Sequence, residues 1–162
     1  MVPKNIAELD RIKRECVSIV NKRASASGLA AAVPVPGADI AADVAIMMEL
    51  LSTINKKFGL SQDQIDGLDP ETKKMLLVIV TSIGSDIVGK LITKQLVAQL
   101  LKKVGARVAV KGVAKFIPIV GQLAAAGISF GAMKMLGNSH IEECYQVCKR
   151  FIEEKEETFV HQ

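Results

Sequence analysis

Three groupings of residues could do chemistry. Gly84-Ser85-Asp86-Ile87-Val88-Gly89-Lys90 matches the phosphate-loop spacing G-x-x-x-x-G-K and follows the strand-like run Leu76–Val80. Such a loop aims backbone N–H groups at phosphates, with the lysine on the terminal phosphates and a following hydroxyl on magnesium. Leu91 stands where that hydroxyl belongs, and Asp86 would set a carboxylate beside the phosphates. No apolar strand ending in Asp follows. The sequence therefore reads here as glycines at a tight helix contact rather than as a nucleotide site.

His140, Cys144 and Cys148 recur every fourth residue, which places three soft donors on one helix face. One helix alone cannot close a tetrahedral metal site, although Cys16 could approach. The competing reading is core packing, since buried cysteines behave as small apolar residues and Ile141 and Val147 flank the same face. Asp39 and Asp43 sit four apart and could bind a cation or exchange protons. They also suit the positive end of a helix dipole, and no third acid or histidine is near them in sequence. With His140 and His161 the only histidines, no Ser/His/Asp grouping can be assembled. The expectation is no catalytic residue, no cofactor and no metal: not an enzyme.

The elements that would carry these residues are helical. In 162 residues, enough for one domain with a real core, 49% are hydrophobic but only 4% aromatic. The apolar mass is thus aliphatic, which suits close helix packing and lacks the aromatic platforms on which bases stack, so no nucleic-acid partner is expected. A net charge of +4 permits contact with an anionic surface without requiring it. Three cysteines without disulfide spacing point to a reducing compartment. With no secretory pattern at the N-terminus, the expected location is cytoplasmic, including a peripheral place at the inner membrane.

From Ile6 to Val20 apolar residues recur at three and four, and Pro3 suits a first helical turn. Ala24–Ala32 can continue that helix until Pro34 and Pro36 stop it. Gly37 opens a second helix with a stripe at Ile40, Val44, Met47, Met48 and Leu51. Lys56 and Lys57 complement its C-terminus and Gly59 reads as its left-handed cap. Ser61-Gln62-Asp63-Gln64 spells a capping box for a short helix to about Asp66, and Asp69-Pro70-Glu71 starts another. Gly84, Ser85 and Gly89 bend or interrupt the chain before Leu91–Val104. Gly105 separates that segment from Arg107–Lys115, and Pro118 ends it. Val120–Leu136 follows, capped by Gly137, and an acidic amphipathic helix occupies 139–157. No stretch alternates with period two. The fold class is all-α: a single domain over 1–162, with pseudo-repeat units at about 6–58 and 90–137.

Lys103, Arg107, Lys111 and Lys115 recur every fourth residue and form a basic stripe if Gly105 keeps phase. A basic amphipathic helix lies on anionic lipid, whereas an ordinary solvated face looks the same in sequence. Phe116–Met133 carries no charge and sits at the lower edge of spanning length. Pro118 and its Ala and Gly content argue against a lone span, and Gly127 with Gly131 allows two helix backbones to approach closely.

Val33-Pro34-Val35-Pro36-Gly37-Ala38-Asp39-Ile40-Ala41-Ala42-Asp43, with Lys22-Arg23 before it and Phe58-Gly59-Leu60 after it, resembles the start of the C-terminal helical domain of the immunity-related (interferon-inducible) GTPases. It also resembles free-standing bacterial helical domains of unknown function. Phe116-Ile117-Pro118-Ile119-Val120-Gly121, running on through Gly127-Ile128-Ser129-Phe130, resembles the family's second hallmark, so the resemblance covers about Arg14 to Arg150. It implies an all-helical domain that associates with membranes and works with a GTPase. No nucleotide-binding domain is recognised in these residues, so no nucleotide contact is carried over. Two expectations follow. One is a module on the cytoplasmic face of a membrane, held by the basic stripe and by Pro-Gly helical hairpins around Pro34, Pro36, Gly37, Pro118, Gly121, Gly127 and Gly131. The other is a soluble interaction domain that docks on a separately encoded GTPase or on a second copy of itself.

Overall fold

The chain begins with local signals that fix its helix ends. The computed structural model describes residues 1–30, 39–85, 87–112 and 121–160. Six helices and no strand occur among them: α1 (Ile6–Ala30), α2 (Asp39–Phe58), α3 (Gln62–Asp66), α4 (Pro70–Ile83), α5 (Lys94–Gly112) and α6 (Gly121–Val160). Asn5 rather than Pro3 starts α1, because its Oδ1 accepts from the Glu8 N–H at 2.9 Å. Pro3 is buried ahead of the helix. At Ser61 the backbone N–H and the hydroxyl both donate to Gln64 Oε1, at 3.1 and 2.8 Å, so the expected capping interaction is present. Asp69 accepts from the Thr72 N–H at 2.9 Å with Pro70 in the first turn, as its spacing predicts.

Two glycine breaks expected from the sequence do not occur. α5 runs through Gly105 and α6 runs through Gly137, so Ser139-His140-Ile141-Glu142 lies inside a helix instead of opening one. Glycine weakens a helix by about 1 kcal/mol but has no steric veto of the kind proline carries. At Gly137 packing supplies a reason for the residue. A Cβ there would stand 2.8 Å from Val20 Cγ2 and 3.0 Å from Val20 Cγ1. At Gly131 no such atom lies within 4 Å. Among the described residues a close approach is thus seen at Gly137. Gly121 is the first residue of α6 and Gly127 lies within it. Pro34, Pro36, Gly37 and Pro118 lie outside the described residues.

The chain groups into two compact units. One comprises Met1–Val17, Leu51–Leu91 and Ser139–Gln162, the other Ser18–Leu50 and Ile92–Asn138. In the first, Leu9, Ile12 and Cys16 of α1, Leu51, Ile54 and Phe58 of α2, and Ile141, Cys144 and Cys148 of α6 are buried at helical spacing. In the second, Val20, Met47, Leu50, Val97, Met133 and Leu136 are buried. Each fully buried aliphatic side chain contributes on the order of 1.5–3 kcal/mol.

Among the described residues three glycines have positive φ: Gly59 (73°), Gly84 (72°) and Gly89 (73°). Gly59 and Gly84 share a backbone conformation but not a neighbourhood. A Cβ on Gly59 would stand 2.4 Å from the Met1 carbonyl carbon, whereas Gly84 has nothing within 4 Å. Gly84→Ala is thus expected to cost only the left-handed penalty, about 1–2 kcal/mol. Gly59→Ala is expected to cost clearly more, because the first residues must also move. Urea denaturation of both variants checks this, and equal losses would contradict the tight passage over Gly59.

Candidate functional site

The phosphate-loop match resolves into a turn whose donors are already used. Gly84 ends α4 in the left-handed conformation, and its N–H reaches Thr81 O at 3.1 Å and Val80 O at 3.2 Å. The Ser85 hydroxyl accepts from the Val88 N–H at 3.0 Å and the Ile87 N–H at 3.2 Å, and donates to Glu143 Oε2 at 2.5 Å. Two of the loop's backbone amides, those of Ile87 and Val88, are thus satisfied by Ser85, and the Lys90 N–H by the Ile87 carbonyl. The chain after Lys90 is not helical until Lys94, so no helix dipole backs the loop. Gly84 serves a helix cap and Gly89 a turn. Only Gly89 is close to a neighbour, with Ile65 Cδ1 3.1 Å from where its Cβ would be.

His140, Cys144 and Cys148 do share one face of α6, and it is wholly buried. Their partners come from α2. His140 Nε2 lies 2.9 Å from Asn55 Oδ1, and the Cys144 thiol donates to the same oxygen at 3.6 Å. Cys144 Sγ is 3.7 Å from His140 Nε2, and the Cys148 thiol donates to the Phe58 carbonyl at 3.6 Å. Asn55 was silent in the sequence reading. Its signal was position: it follows Leu51 by four and precedes Phe58 by three, a polar residue on an apolar stripe.

Burial sets the charge state of this cluster. The His140 ring is pushed down to about 4 by desolvation, against which the nearby Leu51 carbonyl acts weakly. Its Nδ1 makes no hydrogen bond. Burial raises the Cys144 thiol well above its ordinary value, helped by Cys148, Glu143 and Cys16. Cys148 is likewise raised by burial, and Cys16 is raised to about 11 by the same cause. All four groups are neutral at pH 7, so none offers the thiolate that nucleophilic or metal chemistry needs. Among the described residues no three His, Cys, Asp or Glu side chains are close enough to hold a metal ion.

An open face on α4 is the feature the sequence did not single out. Leu76, Ile79 and Val80 are buried, while Leu77 is 42% and Val78 61% exposed. Lys73, Lys74, Leu77, Val78 and Thr81 line a shallow groove of about 720 Å³ that begins at Pro70. The Thr81 hydroxyl donates back to the Leu77 carbonyl at 2.8 Å. Lys73 pairs with Asp66 at 2.6 Å. Of the basic stripe, Lys103 is exposed on α5. Arg107 and Lys111 are in the same helix, with side chains outside the described set, and Lys115 lies outside the described residues. Among the described residues no helix is long and apolar enough to cross a membrane.

Comparison with known proteins adds a relationship over most of the chain. It is similar to part of interferon-inducible GTPase 5. Identity is 32% over 145 residues with the Bos taurus protein, covering 86% of this chain and 31% of the relative. With the Rattus norvegicus protein it is 31% over 133 residues, covering 81% and 28%. The chain thus spans under a third of the length of the relatives it matches. The resemblance carried by the Val33–Asp43 and Phe116–Phe130 segments is therefore part of a longer similarity. No family model and no solved structure matches.

The buried histidine makes stability depend on pH. In the unfolded chain His140 binds a proton below about 6.5, whereas in the folded chain it does so only below about 4. Between these values the unfolded state holds more protons, so stability falls as pH falls, by up to about 1.4 kcal/mol per pH unit and roughly 3 kcal/mol in all. Carboxylates held low by bonded cations, Glu15 by Lys57 and Glu49 by Arg23, act in the same direction as pH falls into the ordinary carboxylate range, so the His140 share is the difference between the native and His140→Leu profiles. Urea denaturation at pH 7.0, 5.5 and 4.5 is expected to show the loss in the native sequence and a flatter profile in His140→Leu. Equal slopes would remove His140 as the cause.

Proposed function

We propose that the chain is a non-enzymatic helical module that docks at the cytoplasmic face of a membrane through the lysine-flanked apolar face of α4. The observation that carries this reading is the outward display of Leu77 and Val78 beside Lys73 and Lys74. An apolar strip enters the interfacial layer, and each cation near anionic lipid contributes about 1 kcal/mol. The Lys73–Asp66 pair is exposed and worth about 0–1 kcal/mol, so it yields readily to a phosphate. Exposed Lys94 and Lys103, with Arg107 and Lys111 in the same helix, make α5 a second basic contributor. The neutral buried cluster supports a non-enzymatic role, since it holds no activated nucleophile at pH 7.

A second reading is a soluble interaction domain that docks on a GTPase or on another copy of the chain. It is favoured by the similarity to part of a protein named as a GTPase. Flotation with anionic and neutral liposomes separates the two. Membrane docking is expected to appear on anionic vesicles only, to weaken with salt, and to be lost in Val78→Asp. Lys74→Gln is expected to weaken it about fivefold. Gln at Lys103, Arg107, Lys111 and Lys115 measures the share of the four-residue basic repeat. A monodisperse protein that ignores both vesicle types overturns the membrane reading and leaves the second.

A further inference from the structure

The first unit holds a second cleft, of about 400 Å³, that shares no lining residue with the α4 groove. Its size falls within the roughly 300–1,000 Å³ of small-molecule sites. Val2, Pro3, Leu68, Phe151 and Ile152 form its walls. Val2, Pro3, Phe151 and Ile152 are buried and Leu68 is half-buried. None of these side chains has a polar group, and the half-buried Thr72 hydroxyl is the one uncharged polar side chain in the lining, so the walls are mainly apolar. Charge is confined to the exposed rim, where Lys4 and Lys155 face Glu156. Neither lysine is in an ion pair among the described residues. Lys155 Nζ lies 5.1 Å from the centre of the Phe151 ring, at the junction of rim and apolar wall.

We propose that this cleft binds a single acyl chain ending in an anion, with the chain against Val2, Leu68, Phe151 and Ile152 and its carboxylate between Lys4 and Lys155. A cationic amphiphile meets two ammonium groups at the rim, and a neutral one leaves both without a partner. Glu156 opposes the ligand charge, so the rim carries one net positive charge. The N-terminal wall is held by the passage of Met1 and Val2 over Gly59, which places Val2 and Pro3 at the cleft. The anion-tipped chain is either a free fatty carboxylate or one chain of an anionic membrane lipid.

Calorimetric titration of the full chain with dodecanoate, below its micellar range, tests the proposal. One dodecanoate per chain is expected, with dodecanol binding about tenfold more weakly for lack of charge-assisted hydrogen bonds. The double variant Lys4→Gln/Lys155→Gln alters only exposed side chains and is expected to lose a similar factor. Leu68→Trp, with helicity checked by circular dichroism, is expected to fill the cleft and abolish binding. Val78→Asp is expected to bind dodecanoate normally, so this result stands or falls apart from the α4 reading. Release of bound dodecanoate by anionic phospholipid vesicles assigns the site to a membrane-lipid chain; retention assigns it to the free carboxylate. Absence of saturable binding, equal affinity for dodecanol, or binding unchanged in the double Gln variant overturns the proposal.

Discussion

A hydrogen bond of 2.9 Å between His140 Nε2 and Asn55 Oδ1 fixes the register of α6 against α2 in the first unit. Around it the interior is aliphatic, made of side chains such as Leu51, Ile54, Ile141 and Val147. Aliphatic surfaces tolerate repacking, so they set how closely helices approach more firmly than which turn meets which. Sliding α6 by one turn would strand Asn55 and His140 without partners, at about 1–3 kcal/mol for each orphaned group. Cys144 and Cys148 add weaker contacts in the same register, to Asn55 and to the Phe58 carbonyl. In the second unit Gly137 plays a corresponding part by shape, because only a residue without Cβ fits against Val20.

The same burial that makes this cluster specific makes it inert. Desolvation favours the neutral form of every titratable group in it. Charges are kept outside, in pairs such as Lys13–Glu142, Lys57–Glu15 and Arg23–Glu49, which solvent screens. The core of the described residues is thus neutral and the charges lie on the surface. On that surface α4 places two exposed apolar side chains, Leu77 and Val78, side by side with two lysines.

Helix ends were legible where one residue and its near neighbours decide them. Asp69-Pro70, Ser61 to Gln64 and Gly59 each act through a local hydrogen bond or a left-handed φ. Gly105 and Gly137 were not legible, because a lone glycine reads equally as a cap or as a close contact, and the deciding atoms at Gly137 belong to Val20, far away in sequence. The face of α4 was ambiguous for a different reason. Met75–Val80 is apolar all round, so periodicity does not say which side is buried. The shared buried face of His140, Cys144 and Cys148 followed from four-residue spacing, whereas its partner Asn55 required the fold.

An environment-sensitive fluorophore on Val78→Cys tests the central claim most directly, since the native thiols are buried and poorly reactive. On adding anionic vesicles the emission is expected to shift to the blue, with the shift reversed by salt. An unchanged spectrum, from labelled protein that still floats with the vesicles, would show that α4 is not the docking face.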